Sequence, residues 1–286
     1  MSLYYKIGGL TFRTDDYFDD EAKHHLSFYQ TEETKAPDVC FTIHTDCEDI
    51  PEPIGKMVTE VNCRKWYELP CGGYAFVDQI PGLSEKILNL VVCDSTFRQI
   101  EAWFCPKSVM NLTVDKRPYN MIQEVLRYTY LFANGTIIHA SSLAYKGKGL
   151  LFSAPSGTGK STHTGLWKKF APGTEIVNDD MPIIRKVGNT VQLYGAPWSG
   201  KNSIHSNLEV PLSAIVFIER ATTCSLTPMD KTEAIFRIFE AIRQPIVPAL
   251  AEKNLDVLAQ MVETLPIYLL RCDMSEKAVK TSMQAL

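Results

Sequence analysis

The run Ala154-Pro155-Ser156-Gly157-Thr158-Gly159-Lys160-Ser161 constrains this chain more than any other feature. It matches the phosphate-loop pattern G-x-x-x-x-G-K-[ST] with alanine in place of the first glycine, a replacement the broader pattern tolerates. Such a loop works only where a strand delivers the chain to a turn and a helix leaves it. Successive backbone N–H groups and the positive end of the helix must converge on one anion. The flanks comply: Leu150-Leu151-Phe152 reads as an apolar strand, and Lys160 to about Lys169 as an amphipathic helix. Gly157 and Gly159 let the backbone curl, Lys160 would bridge the β and γ phosphates, and Ser161 would ligate Mg²⁺. ATP and Mg²⁺ are therefore the expected ligand and metal.

The surroundings read as α/β. A helix is expected from about Tyr119 to Ala133, stopped at Asn134-Gly135, followed by a strand over Thr136 to Ala144, a turn at Lys146-Gly147-Lys148 and a strand over Gly149 to Ser153. After the loop helix come a short strand at Glu175 to Val177, a hairpin from Ile183 to Tyr194 and a buried strand at Ala214 to Ile218. Helices at about Lys231 to Arg243 and Glu252 to Glu263, a strand at Ile267 to Cys272 and a short last helix finish the pattern. The first 112 residues differ. Strand-like runs at Tyr4 to Phe12, Val39 to His44, Trp66 to Leu69, Tyr74 to Val77, Ile87 to Cys93 and Phe97 to Phe104 dominate them, with a turn at Cys93-Asp94-Ser95-Thr96.

Charge divides at the same place. Residues 1–112 carry a net of −8 and the remainder +4, so the second part is the one suited to phosphates. With Asp115-Lys116-Arg117-Pro118 as the boundary, the expected domains are an acidic β-rich domain over 1–114 and a nucleotide-binding domain over 115–286. The overall net of −4 argues against nucleic acid as a partner, and no apolar run approaches the roughly 18 residues of a membrane span. The start, Met1-Ser2-Leu3-Tyr4-Tyr5-Lys6, lacks the form of a signal peptide, so a cytoplasmic protein is expected. The eight cysteines form no C-x-x-C, and reduced thiols are expected there.

Two further elements bear on the chemistry. Val177-Asn178-Asp179-Asp180 places adjacent carboxylates directly after a short apolar strand, about 20 residues past Lys160. A parallel strand beside the loop would bring them to Ser161 and a metal, where Mg²⁺ coordination and activation of a nucleophile are needed; a solvated turn or a helix cap is the alternative. His139, in Ile137-Ile138-His139-Ala140, lies on the strand before the hairpin and could approach the phosphates from the side, or could serve as an ordinary core residue. The loop Gly195-Ala196-Pro197-Trp198-Ser199-Gly200-Lys201 combines flexible joints, an aromatic platform and a cation, which suits a cover over nucleotide or substrate as well as a plain surface turn.

The stretch from His139 through Asp180 resembles the catalytic core of HPr kinase/phosphorylase and, more distantly, ATP-dependent phosphoenolpyruvate carboxykinase. In that superfamily a histidine-bearing strand and a hairpin lead into S-G-x-G-K-[ST], and paired aspartates follow. Here these are His139-Ala140, the Lys146–Lys148 turn, Ser156-Gly157-Thr158-Gly159-Lys160-Ser161 and Asp179-Asp180. The glycine-rich E-x-R-G signature of true HPr kinases is absent. The set looks more like the HPr-kinase-like proteins encoded beside peptide-modification genes.

The resemblance implies a mixed sheet flanked by helices, preceded by the smaller β-rich domain. It implies nucleotide binding by Ser156, Gly157, Thr158, Gly159, Lys160, Ser161 and Thr162, and catalysis by Asp179, Lys160 and His139. Ser161, Asp180 and Asp179 would serve the metal, which of the two aspartates is base and which is metal ligand being left open. The expected activity is transfer of the γ-phosphoryl group of ATP to a hydroxyl, foremost Ser or Thr of a peptide or protein. A small hydroxylated metabolite such as an amino acid is a second acceptor class, and a non-catalytic nucleotide-binding regulatory or scaffold protein a third reading.

Overall fold

Side chains that alternate between buried and accessible positions build the first part of the chain into a sheet. The structure, a computed structural model, describes residues 2–45, 47–79, 87–106, 116–200 and 203–286. Its first strands are β1 (Ser2–Ile7), β2 (Leu10–Asp15), β3 (Val39–His44), β4 (Lys56–Val61), β5 (Arg64–Glu68), β6 (Tyr74–Gln79), β7 (Ile87–Cys93) and β8 (Gln99–Phe104). They form one sheet in the order β1-β2-β3-β8-β7-β6-β5-β4, parallel at β2/β3 and β3/β8 and antiparallel from β8 to β4. The single run expected over Tyr4 to Phe12 is two strands, because Gly8 and Gly9 both take positive φ (57° and 73°) and reverse the chain.

Helix α1 (Asp20–Ser27) was not foreseen, yet its signal is local. Asp19 caps it by accepting from the Ala22 N–H at 2.8 Å, acidic Asp20 and Glu21 open it, and His24 and His25 close it. Helix α2 (Lys116–Phe132) starts three residues earlier than expected and stops two residues before Asn134, whose φ is 54°. Its Tyr128 ring lies 5.2 Å from Trp66 and 5.0 Å from Phe97, and its Glu124 accepts from Arg64 at 2.9 Å. Packing therefore groups Leu10–Phe132 as one compact unit, and the second is made mainly of Ala133–Gln244 and Glu252–Leu286. Sequence pattern and charge change near residue 112, whereas packing divides the chain one helix later, where the aromatic face of α2 ends. Asp115 of the boundary segment lies outside the described residues.

The second unit holds β9 (Gly135–Ile137), β10 (Ala140–Tyr145), β11 (Lys148–Ser153), β12 (Glu175–Asp180), β13 (Ile183–Val187), β14 (Thr190–Tyr194), β15 (Glu209–Arg220), β16 (Ser225–Pro228) and β17 (Ile267–Cys272). The order is β12-β10-β11-β15-β14-β13-β9, with β17 on β15 and β16 on β17. The sheet is mixed, β11/β15 and β15/β17 being parallel. Helices α3 (Lys160–Phe170), α4 (Lys231–Ala241), α5 (Pro248–Thr264) and α6 (Glu276–Ser282) flank it.

Both sheet faces are covered, and the period-two alternation shows it. On β15, Ala214, Val216 and Ile218 join Phe152, Trp167, Ala278 and Val279 in one apolar cluster. Ile215 and Phe217 join Leu151, Ala234, Ile238, Leu258 and Met261 in another. Strands buried on both faces read as continuous apolar runs, which is why Leu150-Leu151-Phe152 and Ile215-Val216-Phe217 were legible as core.

The strand expected over Thr136 to Ala144 is broken. Its first part pairs with β13 and its second with β11 and β12, so the chain changes partners at Ile138-His139.

Candidate functional site

The loop between β11 and α3 turns on two glycines in conformations that a side chain would strain, Gly157 at φ 76° and Gly159 at φ 121°. A Cβ on Gly157 would meet nothing within 4 Å, so the glycine serves backbone conformation there and leaves open space beside the loop. Gly159 is also the N-cap of α3, and no side chain caps that helix. Helix α4 is different: Asp230 accepts from the N–H groups of Thr232 and Glu233. The amides at the start of α3 are thus left for an outside acceptor. The loop is braced from behind by Arg220 at the end of β15, whose Nε and Nη2 donate to the carbonyls of Thr158 (3.0 Å) and Gly157 (2.6 Å). Arg220 was not singled out in the sequence, and being about 60 residues away it carried no local signal.

Lys160 is only 9% exposed, and its Nζ donates to the Ala154 carbonyl at 2.9 Å. Burial lowers its pKa from the ordinary lysine value, against the opposing pull of Asp180 and Asp179. Ser161 and Thr162 are exposed on the first turn of α3, and Ser156 and Gly157 are exposed on the loop.

The paired aspartates sit differently from the expectation. They do not follow the strand but end it, because β12 runs on through Asp180. Nor is β12 a parallel neighbour of the loop strand: it pairs antiparallel with β10, Asp179 opposite Ser141 and Asp180 opposite Ala140. Hydrogen-bond capacity extends the strand past its apolar part. The Ser142 hydroxyl donates to the Asn178 carbonyl at 3.1 Å. On the other side the Asp179 N–H reaches the Ile204 carbonyl and the Ser206 N–H the Val177 carbonyl, both at 3.0 Å.

Asn178 locks this arrangement. Fully buried, it donates to the carbonyls of Ala196 (2.9 Å) and Trp198 (3.0 Å) and accepts from the N–H groups of Asp180 (3.0 Å) and Met181 (2.7 Å). Both ends of the amide are used, so one side chain fixes the carboxylate pair and the loop from Gly195 together. The loop packs closely, since a Cβ on Gly195 would fall 1.7 Å from the Ser206 carbonyl oxygen. Trp198 is 5% exposed and packed rather than an open platform, and Lys201 lies outside the described residues.

His139 falls at the break between β9 and β10, and its Nε2 is 3.4 Å from Asp180 Oδ1. Burial and the nearby Lys160 charge lower its pKa from the ordinary histidine value, against the pull of Asp180. Its carbonyl is held by the Ser153 hydroxyl at 3.1 Å. His139, Lys160 and Asp180 thus act on one another, with Asp179 also felt by Lys160. Asp179 Oδ1 is buried with no hydrogen-bond partner among the described residues. An orphaned carboxylate oxygen beside a desolvated lysine calls for a proton donor or a cation.

The described residues hold no group of three or more His, Cys, Asp or Glu that could bind a metal by itself. The two carboxylates in the electrostatic reach of Lys160 are hard oxygen donors of the kind Mg²⁺ takes, one or two carboxylates with phosphate and water completing its shell. No described helix is long and apolar enough to cross a membrane, and the described cysteines form no disulfide with one another.

Comparisons with known proteins add the following. The family model described as ScmC, SynChlorMet cassette protein ScmC, matches residues 115–284. No curated protein matches the chain. Among solved structures, the Hpr(Ser) kinase/phosphatase from Coxiella burnetii is 14% identical with a TM-score of 0.30, covering 52% of this chain and 97% of that one.

Proposed function

We propose that this chain, which belongs to the SynChlorMet cassette protein ScmC family, is an ATP- and Mg²⁺-dependent phosphotransferase that phosphorylates a Ser or Thr hydroxyl of a peptide. The observation that carries the reading is the buried, partnerless Asp179 Oδ1 in the electrostatic reach of Lys160, the first residue of a helix that no side chain caps. The cassette in the family's description, one for peptide modification, favours a peptide as acceptor.

The roles follow from the chemistry. Loop amides and Lys160 bind the β and γ phosphate oxygens and offset the charge spread over them as the phosphoryl group moves. Ser161 and Asp180 would hold Mg²⁺, which when bound would supply charge neutralisation and alignment of the phosphates. Asp179 accepts the proton of the acceptor hydroxyl; the new O–P bond forms as the bond to the ADP oxygen breaks. His139 stands beside Asp180, its Nε2 3.4 Å from Oδ1. Asn178 keeps both carboxylates in register with the loop.

The test is incubation of the protein with Mg²⁺, ATP and peptides encoded by neighbouring genes, followed by mass spectrometry for a gain of one phosphate. Asp179→Asn is expected to lower transfer by at least about 10²-fold, the contribution of a positioned base, with ATP binding retained. ATP binding without transfer to any peptide would sink the kinase reading in favour of a regulatory nucleotide-binding protein.

A further inference from the structure

An open sheet has two edges, and each presents a row of backbone N–H and C=O groups that call for partners. In the first unit one edge is covered. Along β1, the Lys6 N–H donates to the Tyr29 carbonyl at 2.7 Å and the Thr31 N–H to the Tyr4 carbonyl at 2.9 Å. The other edge is β4, which pairs only with β5 and takes no backbone hydrogen bond on its outer side among the described residues. It is six residues long and holds no proline, so each of its outward amides can donate to a further strand.

The surroundings of the edge narrow what that strand is. Ile54 just ahead of β4, and Met57 and Val61 on it, are 88%, 52% and 40% exposed, so part of the edge is apolar. The rest is acidic. Glu48, Glu60 and Glu68 are exposed and make no ion pair among the described residues. Of the nearby bases, Lys65 is held by Glu52 at 3.8 Å and Arg64 by Asp78 and Glu124, which leaves Lys56. Residues 1–112, which carry this edge, have a net charge of −8. A basic partner is therefore favoured over a second copy of the same acidic edge. The ladder to β5 also slips between Met57 and Thr59, a bulge that bends the strand. A rigid sheet would have to match that bend, whereas a flexible segment follows it.

We propose that β4 receives an extended stretch of the peptide substrate, bearing Lys or Arg between apolar residues, by strand addition. Backbone hydrogen bonds to the open edge supply affinity, and alternate side chains supply selectivity. Apolar side chains of the added strand meet Met57 and Val61, and its cations meet Glu60 in the field of the neighbouring acids. The inference rests on the peptide reading above and adds to it a surface that recognises the peptide by its backbone and charge rather than by its hydroxyl.

Hydrogen exchange of the full chain, read by mass spectrometry, tests it with a peptide of alternating lysine and valine, six residues long like β4 itself. At a peptide concentration about ten times its Kd, the segment 56–61 is expected to exchange about tenfold more slowly. The same peptide N-methylated throughout cannot donate to the edge and should bind about tenfold or more weakly. Glu60→Lys should weaken the unmethylated peptide at least about threefold, circular dichroism checking the fold. Unchanged exchange over 56–61, or equal affinity for the two forms of the peptide, would overturn the assignment. So would protection of 56–61 that grows with protein concentration before any peptide is added, which gives the edge to a second copy. None of these outcomes touches the kinase reading, which stands or falls on phosphate transfer. Protection without transfer would sink that reading and keep the edge as a peptide-binding surface.

Discussion

Each unit of the molecule gathers charges out of water, and the two do it in opposite ways. In the first, Arg64 grips Asp78 with two bonds (2.6 and 3.0 Å) and Glu124 with a third (2.9 Å), Arg127 also donates to Glu124, and Asn89 donates to Asp78. The guanidinium is further stacked over the Phe76 ring at 4.4 Å. Donors and acceptors are matched there, and Arg64 keeps a raised pKa despite its burial. In the second, Lys160 has a backbone carbonyl for its partner, His139 stands off Asp180 at 3.4 Å, and Asp179 Oδ1 has nothing. A closed network stabilises a fold. An open one stores capacity that a ligand can use, which is why the reading of function rests on the second unit.

That contrast can be broken by stability measurements. The largest effect is expected from Arg64→Ala, which takes from Asp78 its only cation and from Glu124 one of its two, among the described residues, and should cost about 3 kcal/mol; urea unfolding followed by tryptophan fluorescence, Trp66 being buried nearby, reads this. Lys160→Met should change stability by less than about 1 kcal/mol, in either direction, because it removes a desolvated charge that the fold does not pair well. Equal costs in the two variants would show that the second site is as structural as the first.

A smaller effect concerns His163, buried and neutral. Its native pKa of about 4 lies below the ordinary 6.5, so the unfolded chain takes up a proton that the native one refuses. Stability is therefore full above pH 6.5 and is lost as pH falls toward 4, by up to about 3 kcal/mol. His163→Gln should flatten the fall in melting temperature over that window. The smallest effect is that of Arg220→Ala, which removes an exposed brace: under about 1 kcal/mol in stability, but a several-fold weaker affinity for ATP by calorimetry.

Much of the second unit was legible because its signals are local. The turn at Lys146-Gly147, the loop glycines and the apolar runs of β11, β15 and β17 all announce themselves within a few residues. What was missed depends on partners far along the chain. The break at His139 exists because β9 and β10 pair with different strands. Strand β12 outlasts its apolar residues because Ser142 on one side and the chain at Ile204–Ser206 on the other satisfy its polar end. Asn178 carries no signal of its own in the sequence, while its four hydrogen bonds are what set that end. In the first unit, β4 escaped notice since its side chains are mostly accessible and show no apolar alternation.

The brace on the phosphate loop has one more consequence. In a trans peptide the carbonyl and the N–H of the same plane point in opposite directions. With the Thr158 carbonyl turned toward the Arg220 guanidinium, the N–H of Gly159 is turned away from it. A cation at the back of the loop thus works as a compass for the peptide planes at its front, setting their polarity before any anion arrives. The loop supplies the glycines, and the far end of another strand decides which way they face.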